Sequence, residues 1–215
     1  MKVYFILILI LFGLNKTEAQ YSIRASMGID FASTPSLTDY VNQNFPVGDS
    51  PLNDFNTAII FSGEFGFLIT PEFQLGVEVS YLINSYNYSN ELGKFDLDYN
   101  IISPSILGYY ISQGNGYNIK FGGGIGLRLS NLDLSLPGTT EITNYSNTGF
   151  GLILRAEGNT LLGGNFYANI GADLKYDMNG IPKSGSKNLY NNISREDVHL
   201  NSLSVGLRLG VSYIF

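Results

Sequence analysis

Neither cysteine nor tryptophan occurs in the 215 residues, and histidine occurs once, at His199. Without cysteine there is no disulfide framework, no thiolate nucleophile and no Cys-based metal site. Charge is also scarce: Asp, Glu, Lys and Arg make up 14% of the chain, against about 25% in a soluble globular domain. The net charge of −6 comes with no basic cluster, so nothing stands ready to neutralise phosphates and no nucleic acid is expected as a partner. Long apolar runs are missing beyond the first residues. No later segment has 18 consecutive apolar residues, and no transmembrane helix is expected.

The one apolar run, Val3 to Leu14, follows Met1-Lys2 and precedes Thr17-Glu18-Ala19. A basic start, a short apolar stretch and small residues at −3 and −1 of a cut before Gln20 form a secretory signal peptide. Twelve helical residues would span only about 18 Å, short of a hydrocarbon core of about 30 Å. The expected organisation is a signal peptide at 1–19 and one domain over 20–215. Cleavage leaves ten basic and 17 acidic side chains, and the protein is expected to leave the cytoplasm.

What the chain has in quantity is Tyr (15), Phe (14) and Gly (25), at a mean hydropathy of +0.08. Near-zero hydropathy suits strands that are apolar on one face and polar on the other. Tyr21, Ile23, Ala25, Met27, Ile29 and Phe31 form one face of a first strand, and Ser22, Arg24, Ser26, Gly28 and Asp30 the other. The same alternation recurs at 59–69, 73–83, 117–129, 150–156, 166–178 and 203–215. Around 100–111 it blurs, because Ile101-Ile102 and Tyr109-Tyr110 fit either register. Period-two alternation over so many segments is a β signal. The connections alternate in length: 70–72, 112–116 and 159–164 are short, whereas 32–56, 84–98, 130–147 and 179–199 are long and polar. The reading is all-β: an eight-stranded antiparallel up-and-down transmembrane barrel with short periplasmic turns and long extracellular loops. An even count lets the last strand pair with the first, so no edge faces lipid unsatisfied.

Charge decides which face meets lipid. The polar faces carry Arg24, Asp30, Glu64, Glu78, Lys120, Arg128, Arg155, Glu157, Asp173, Lys175, Asp177 and Arg208, six of each sign. On the lipid side a midplane Arg or Lys would cost about 2–4 kcal/mol, so these groups are expected to line the lumen. The network is expected to centre on Arg24, Glu64, Glu78, Lys120, Arg128, Arg155, Glu157 and Arg208. A hairpin centred on Thr70-Pro71-Glu72 sets Glu64 opposite Glu78, an arrangement that needs cations nearby. Arg208, Arg24 and Arg128 are the expected donors, with Arg208 bridging and blocking the lumen. Aromatics are expected in two girdles. Phe31, Tyr81, Tyr86, Tyr88, Tyr99 and Tyr176 form the outer one, and Tyr21, Phe73, Tyr117, Phe166, Tyr213 and Phe215 the inner one.

The C-terminal octapeptide, Arg208 to Phe215, resembles the β-signal read by the outer-membrane assembly machinery. That pattern is polar-x-Gly-x-x-aromatic-x-aromatic, and Arg208, Gly210, Tyr213 and Phe215 fill it. The resemblance implies the assembly machinery as a partner during biogenesis. A final strand unpaired before insertion also offers an edge for strand addition. With the Ala19-Gln20 junction and a Tyr- and Asn-rich, Trp-free barrel, the chain resembles the small outer-membrane barrel proteins of Bacteroidetes called PorT-like. For some members that family implies a role in secretion or gliding, and for most only an outer-membrane barrel.

Catalytic candidates are few. A barrel lipid hydrolase needs His, Ser and an acid together, but position 201 is Asn and Ser202 faces away from His199. Gly122-Gly123-Gly124-Ile125-Gly126 lacks the Lys-Ser/Thr of a phosphate loop, and Asp96 and Asp98 lack the spacing of a calcium loop. No cofactor, metal or catalytic residue is expected. The expected function is non-enzymatic, structural or interactive, with outer-membrane lipid around the barrel and an extracellular protein or glycan as ligand of the loops. The alternative is a narrow, porin-like diffusion channel. Eight strands leave room for little more than side chains.

Overall fold

The computed structural model describes residues 21–45, 51–52, 55–91, 93–137 and 141–215. The expected signal peptide lies outside the described residues. Eight long strands follow one another: β1 (Tyr21–Ser33), β2 (Phe55–Thr70), β3 (Phe73–Asn90), β4 (Gly93–Gly114), β5 (Tyr117–Ser135), β6 (Ile142–Gly163), β7 (Phe166–Met178) and β8 (Ser202–Ile214). Each pairs antiparallel with its neighbours in sequence, and β1 pairs with β8, so the sheet closes into a ring. The closing ladder runs from Ser22↔Ile214 to Ser33↔Leu203. Closure gives the first and last strands two partners each, the condition for burying a sheet in lipid.

The period-two pattern turns apolar side chains outward. Ile125, Leu154, Ile170 and Leu209 expose 62–65% of their surface. Each such chain left in water forfeits about 1.5–3 kcal/mol of burial, so a belt of them around the whole ring fits lipid and not solvent. Two register shifts, between Leu68 and Thr70 and between Leu161 and Gly163, fall at the short-turn end where pairing stops. Among the described residues no helix is long and apolar enough to cross a membrane.

At the long-loop end the strands run on past the belt. The expected loops at 84–98 and 130–147 are mostly paired strand: Asn84↔Tyr99 to Asn90↔Gly93, and Ser130↔Asn147 to Ser135↔Ile142. The reason is an inversion of polarity. Below Ile102 and Leu129 most apolar residues face out, Leu107, Tyr109 and Ile153 being buried exceptions, while above them Leu97, Tyr99, Ile101, Leu132 and Leu134 face in and are buried. Asp98, Asn100 and Asn131 take the outward positions, continuing the alternation with its sign reversed. This also settles the blurred register around 100–111: Ile101 and Tyr109 point inward, Ile102 and Tyr110 outward. Tyr86 and Tyr99 are therefore buried above the belt, and Tyr88 packs against the same core; none of the three is a girdle residue. Phe31, Tyr81 and Tyr176 do face out.

The segment expected as a loop at 32–56 contains a helix, α1 (Pro35–Asn44). Pro35 sits in the first turn, where its missing N–H costs nothing. Leu37, Tyr40 and Val41, spaced three and four apart, form the buried stripe. The segment from Asn179 to His199 is likewise ordered, with two-residue ladders at Lys183↔Asn188 and Tyr190↔Asp197.

Candidate functional site in the lumen

The Thr70-Pro71-Glu72 turn sets the register that brings Glu64 opposite Glu78, and the β1–β2 ladder places Arg24 opposite Glu64. Three charged side chains thus share one level of the lumen wall. Arg155 of β6, Asp173 of β7 and Arg208 of β8 reach the same centre from the far wall. All twelve polar-face charges are buried.

Arg24 donates through Nη2 to Glu64 Oε2 at 2.5 Å and to Glu78 Oε2 at 3.1 Å, and it also pairs with Glu157. Arg155 grips Glu78 with two bonds, Nη1 to Oε2 at 2.6 Å and Nη2 to Oε1 at 3.0 Å. Its Nε donates to Asp173 Oδ1 at 2.6 Å. Arg208 approaches both Glu78 oxygens at 3.4 Å and pairs through Nε with Asp173. Lys120 lies 3.4 Å from Glu157 Oε1 with its ammonium over the Tyr109 ring. Four cations thereby meet four carboxylates, and charge-assisted forks hold the opposed Glu64–Glu78 pair together.

Among the expected donors, Arg128 belongs elsewhere. It is one level nearer the long loops, where Nε donates to Asp177 Oδ1 at 2.5 Å. Lys175 and Asp30 form a second outlying pair. The pairing of Arg128 needs Gly151, because a Cβ there would collide with both Arg128 Nη2 and Asp177 Oδ1. Arg155 does more for the opposed glutamates than the expected Arg208, because its two forked bonds are shorter. Two centre residues had no place in the network expected from sequence. Asp173 stood only in the polar-face set. Tyr109, with its hydroxyl donating to Glu64 Oε2 at 2.7 Å and accepting from Arg155 Nη1 at 3.1 Å, hid in the ambiguous Tyr109-Tyr110 pair.

Toward the short turns the polar filling continues as amides. Asn169 donates to Asn159 Oδ1 at 2.9 Å and Asn159 to Asn118 Oδ1 at 2.8 Å, while Gln74 donates to Ser22 Oγ at 3.0 Å. Toward the long loops the lumen turns apolar. Leu37, Tyr40 and Val41 from α1 meet the inward residues of β3, β4 and β5, and Leu189, Val198 and Leu200 close the top. The cap is laced by Asn44 donating to Asn191 Oδ1 at 3.1 Å and Asn191 to Gln43 Oε1 at 2.9 Å. Burial pushes the Tyr40 phenol up to about 12, with Tyr145 adding to the shift.

The remaining sequence candidates are structural here. His199 is exposed at the cap, its backbone N–H donating to Ser36 Oγ at 2.9 Å. Gly122 to Gly126 lie inside β5, with no helix after them among the described residues. Among the described residues no group of three or more His, Asp or Glu is placed to hold a metal ion. Gly210 pairs with Ser26 and Asn169 in the closing strand. Tyr213 packs edge-on against Phe166 and Phe215, each at 4.9 Å between ring centres, and Arg208 alone of the octapeptide's named residues reaches the charged centre.

No family model matches the chain, and no curated protein matches it. Solved structures do. Ail, the attachment invasion locus protein of Yersinia pestis, solved with the heparin analogue sucrose octasulfate, superposes with a TM-score of 0.55 at 13% identity, covering 93% of this chain and 100% of its own. Neisserial surface protein A gives 0.53 at 16% identity, covering 92% and 99%. A major outer membrane protein of Thermus thermophilus gives 0.52 at 13% identity, covering 93% and 100%. At such identities the likeness is one of fold: this chain has the architecture of the small outer-membrane β-barrels.

Proposed function

We propose that the protein is a non-enzymatic outer-membrane barrel with a closed lumen, whose ordered cap presents a surface to a partner outside the cell. The observation that carries this reading is the double closure. A neutral, cross-linked charge cluster fills the middle of the barrel, and an apolar plug of α1 and the 179–201 segment fills its outer end. A pore needs neither an apolar core in its mouth nor forked ion pairs across its centre. The diffusion-channel alternative therefore loses ground.

In this reading residues 1–19 are removed on export. Arg208, Gly210, Tyr213 and Phe215 serve as the assembly signal, and the short turns face the periplasm. The resemblance to PorT-like barrels belongs to the same reading, carried by the Tyr- and Asn-rich, Trp-free composition. It adds a surface location and no particular secretion role. The sulfated ligand of Ail is not carried over. The described residues of 32–45, 84–98, 130–147 and 179–199 at the cap end hold eight carboxylates against four cations, a field that repels a polyanion.

The absence of cysteine allows a clean test. Ile193 is 62% exposed on the cap, so Ile193→Cys would be the single thiol in the chain. A membrane-impermeant maleimide should label it on intact cells, and the purified protein should show no steady conductance in planar bilayers. Labelling only after lysis, or porin-like conductance of the wild type, would overturn the reading.

A further inference from the structure

The mouth at the short-turn end holds a cavity of about 360 Å³, within the roughly 300–1,000 Å³ range of ligand sites. Gln113, Asn118, Asn165 and Tyr167 line it, with Phe215 at the rim. A smaller chamber of about 40 Å³, room for a water or so, shares Gln113 and Asn118 with it and is also lined by Gln74 and Lys120. No ionised side chain lines the larger cavity. Its side chains also keep bonding capacity in hand. Asn118 Oδ1 accepts from Asn159 but its amide N–H groups donate to nothing among the described residues, and the same holds for the Tyr167 hydroxyl. Gln113 donates to Pro71 O at 3.1 Å and keeps its carbonyl oxygen for another donor.

We propose that this mouth binds the end of an uncharged, N-acetylated glycan on the periplasmic side. Side-chain amides and a phenol both donate and accept, which matches sugar hydroxyls and acetamido groups that do the same. The Tyr167 ring in the lining supplies apolar surface that suits the C–H side of a pyranose. An anionic ligand finds no cationic side chain on the walls of the larger cavity. An extended peptide would seek a free strand edge or apolar pockets, and here every barrel strand is paired on both sides. The site is separate from the cap surface and depends on the preceding section only for which end faces the periplasm.

The test titrates the mature, detergent-folded protein with an N-acetylglucosamine tetrasaccharide by calorimetry, folding being checked by different gel mobility before and after boiling. Saturable binding is expected, weakened at least tenfold in Gln113→Ala/Tyr167→Phe, and unchanged in Ile193→Asp at the opposite end. The inference is overturned if folded wild type shows no saturable binding, or if the double variant binds as well as wild type. It is equally overturned if a tetrapeptide of matched length binds in place of the sugar. Loss of binding in Ile193→Asp alone would move the ligand to the cap, overturning this inference while leaving the proposed function standing.

Discussion

Arg155 holds more of the lumen together than any other side chain there. It bonds Glu78 twice, Asp173 through Nε, and stands 3.4 Å from Glu64. Removing one partner of a buried ion pair leaves an uncompensated charge, at a cost of about 3–5 kcal/mol. Arg155→Met should therefore lower the melting temperature well below that of Arg128→Met, which strands only Asp177. Adding Glu78→Gln to Arg155→Met should recover part of the loss, because the stranded carboxylate is then neutral. Equal melting of the two single variants in matched detergent would show that the centre does not depend on Arg155. The residue-level chemistry was legible where alternation was clean. Glu64 and Glu78 could be set opposite each other from a turn and a period of two, with Arg24 only one of three candidate donors. Which arginine reaches which acid could not, since that depends on how far each wall stands from the centre.

Among the elements, the strands within the belt were legible and the cap was not. Apolar-out alternation names a strand only while lipid is outside. Where the wall rises into water the same strand reverses its polarity, so 84–98 and 130–147 read as loops although they are ladder. α1 was hidden for a related reason: Leu37, Tyr40 and Val41 sit among polar residues that resemble a loop, and the helix gains its stability from the barrel it plugs. Tyr40 gives a handle on this element. Its phenol is neutral when buried and ionises at about 12 in place of 10. A raised acid pKa leaves cap stability intact below pH 10. Stability then falls as pH climbs from 10 toward 12, because only the unplugged cap can ionise easily there. Tyr86, pushed up to about 12 by burial, adds to the same window. Tyr40→Phe should shrink the loss of cap protection in hydrogen exchange between pH 10 and 12. An unchanged alkaline profile would mean that Tyr40 is not the buried anchor of the plug.

For the whole molecule, closure of the ring and closure of the lumen are separate properties. The ring depends on β8 finding β1, and Tyr213 and Phe215 lie at the end of that final strand, packed edge-on against each other. Replacing both with Ala should impair assembly and not export. Processed but unfolded protein should accumulate or be degraded, and normal outer-membrane levels of the double variant would remove the assembly role. The lumen is closed twice in series, and flow through series barriers is set by whichever remains. Breaking the charge centre with Arg208→Ala leaves Glu78 and Asp173 with one donor fewer, yet the apolar plug still fills the outer end. Val41→Asp places a charge at a fully buried position of the plug, yet the ion pairs still bridge the middle. Each single variant should lose stability and stay electrically silent in planar bilayers. Only Arg208→Ala/Val41→Asp should pass small ions, with conductance rising once both barriers are weakened. A conducting Arg208→Ala single variant would mean that the plug does not seal, and a silent double variant that still folds would mean that packing of the eight-stranded wall closes the lumen by itself.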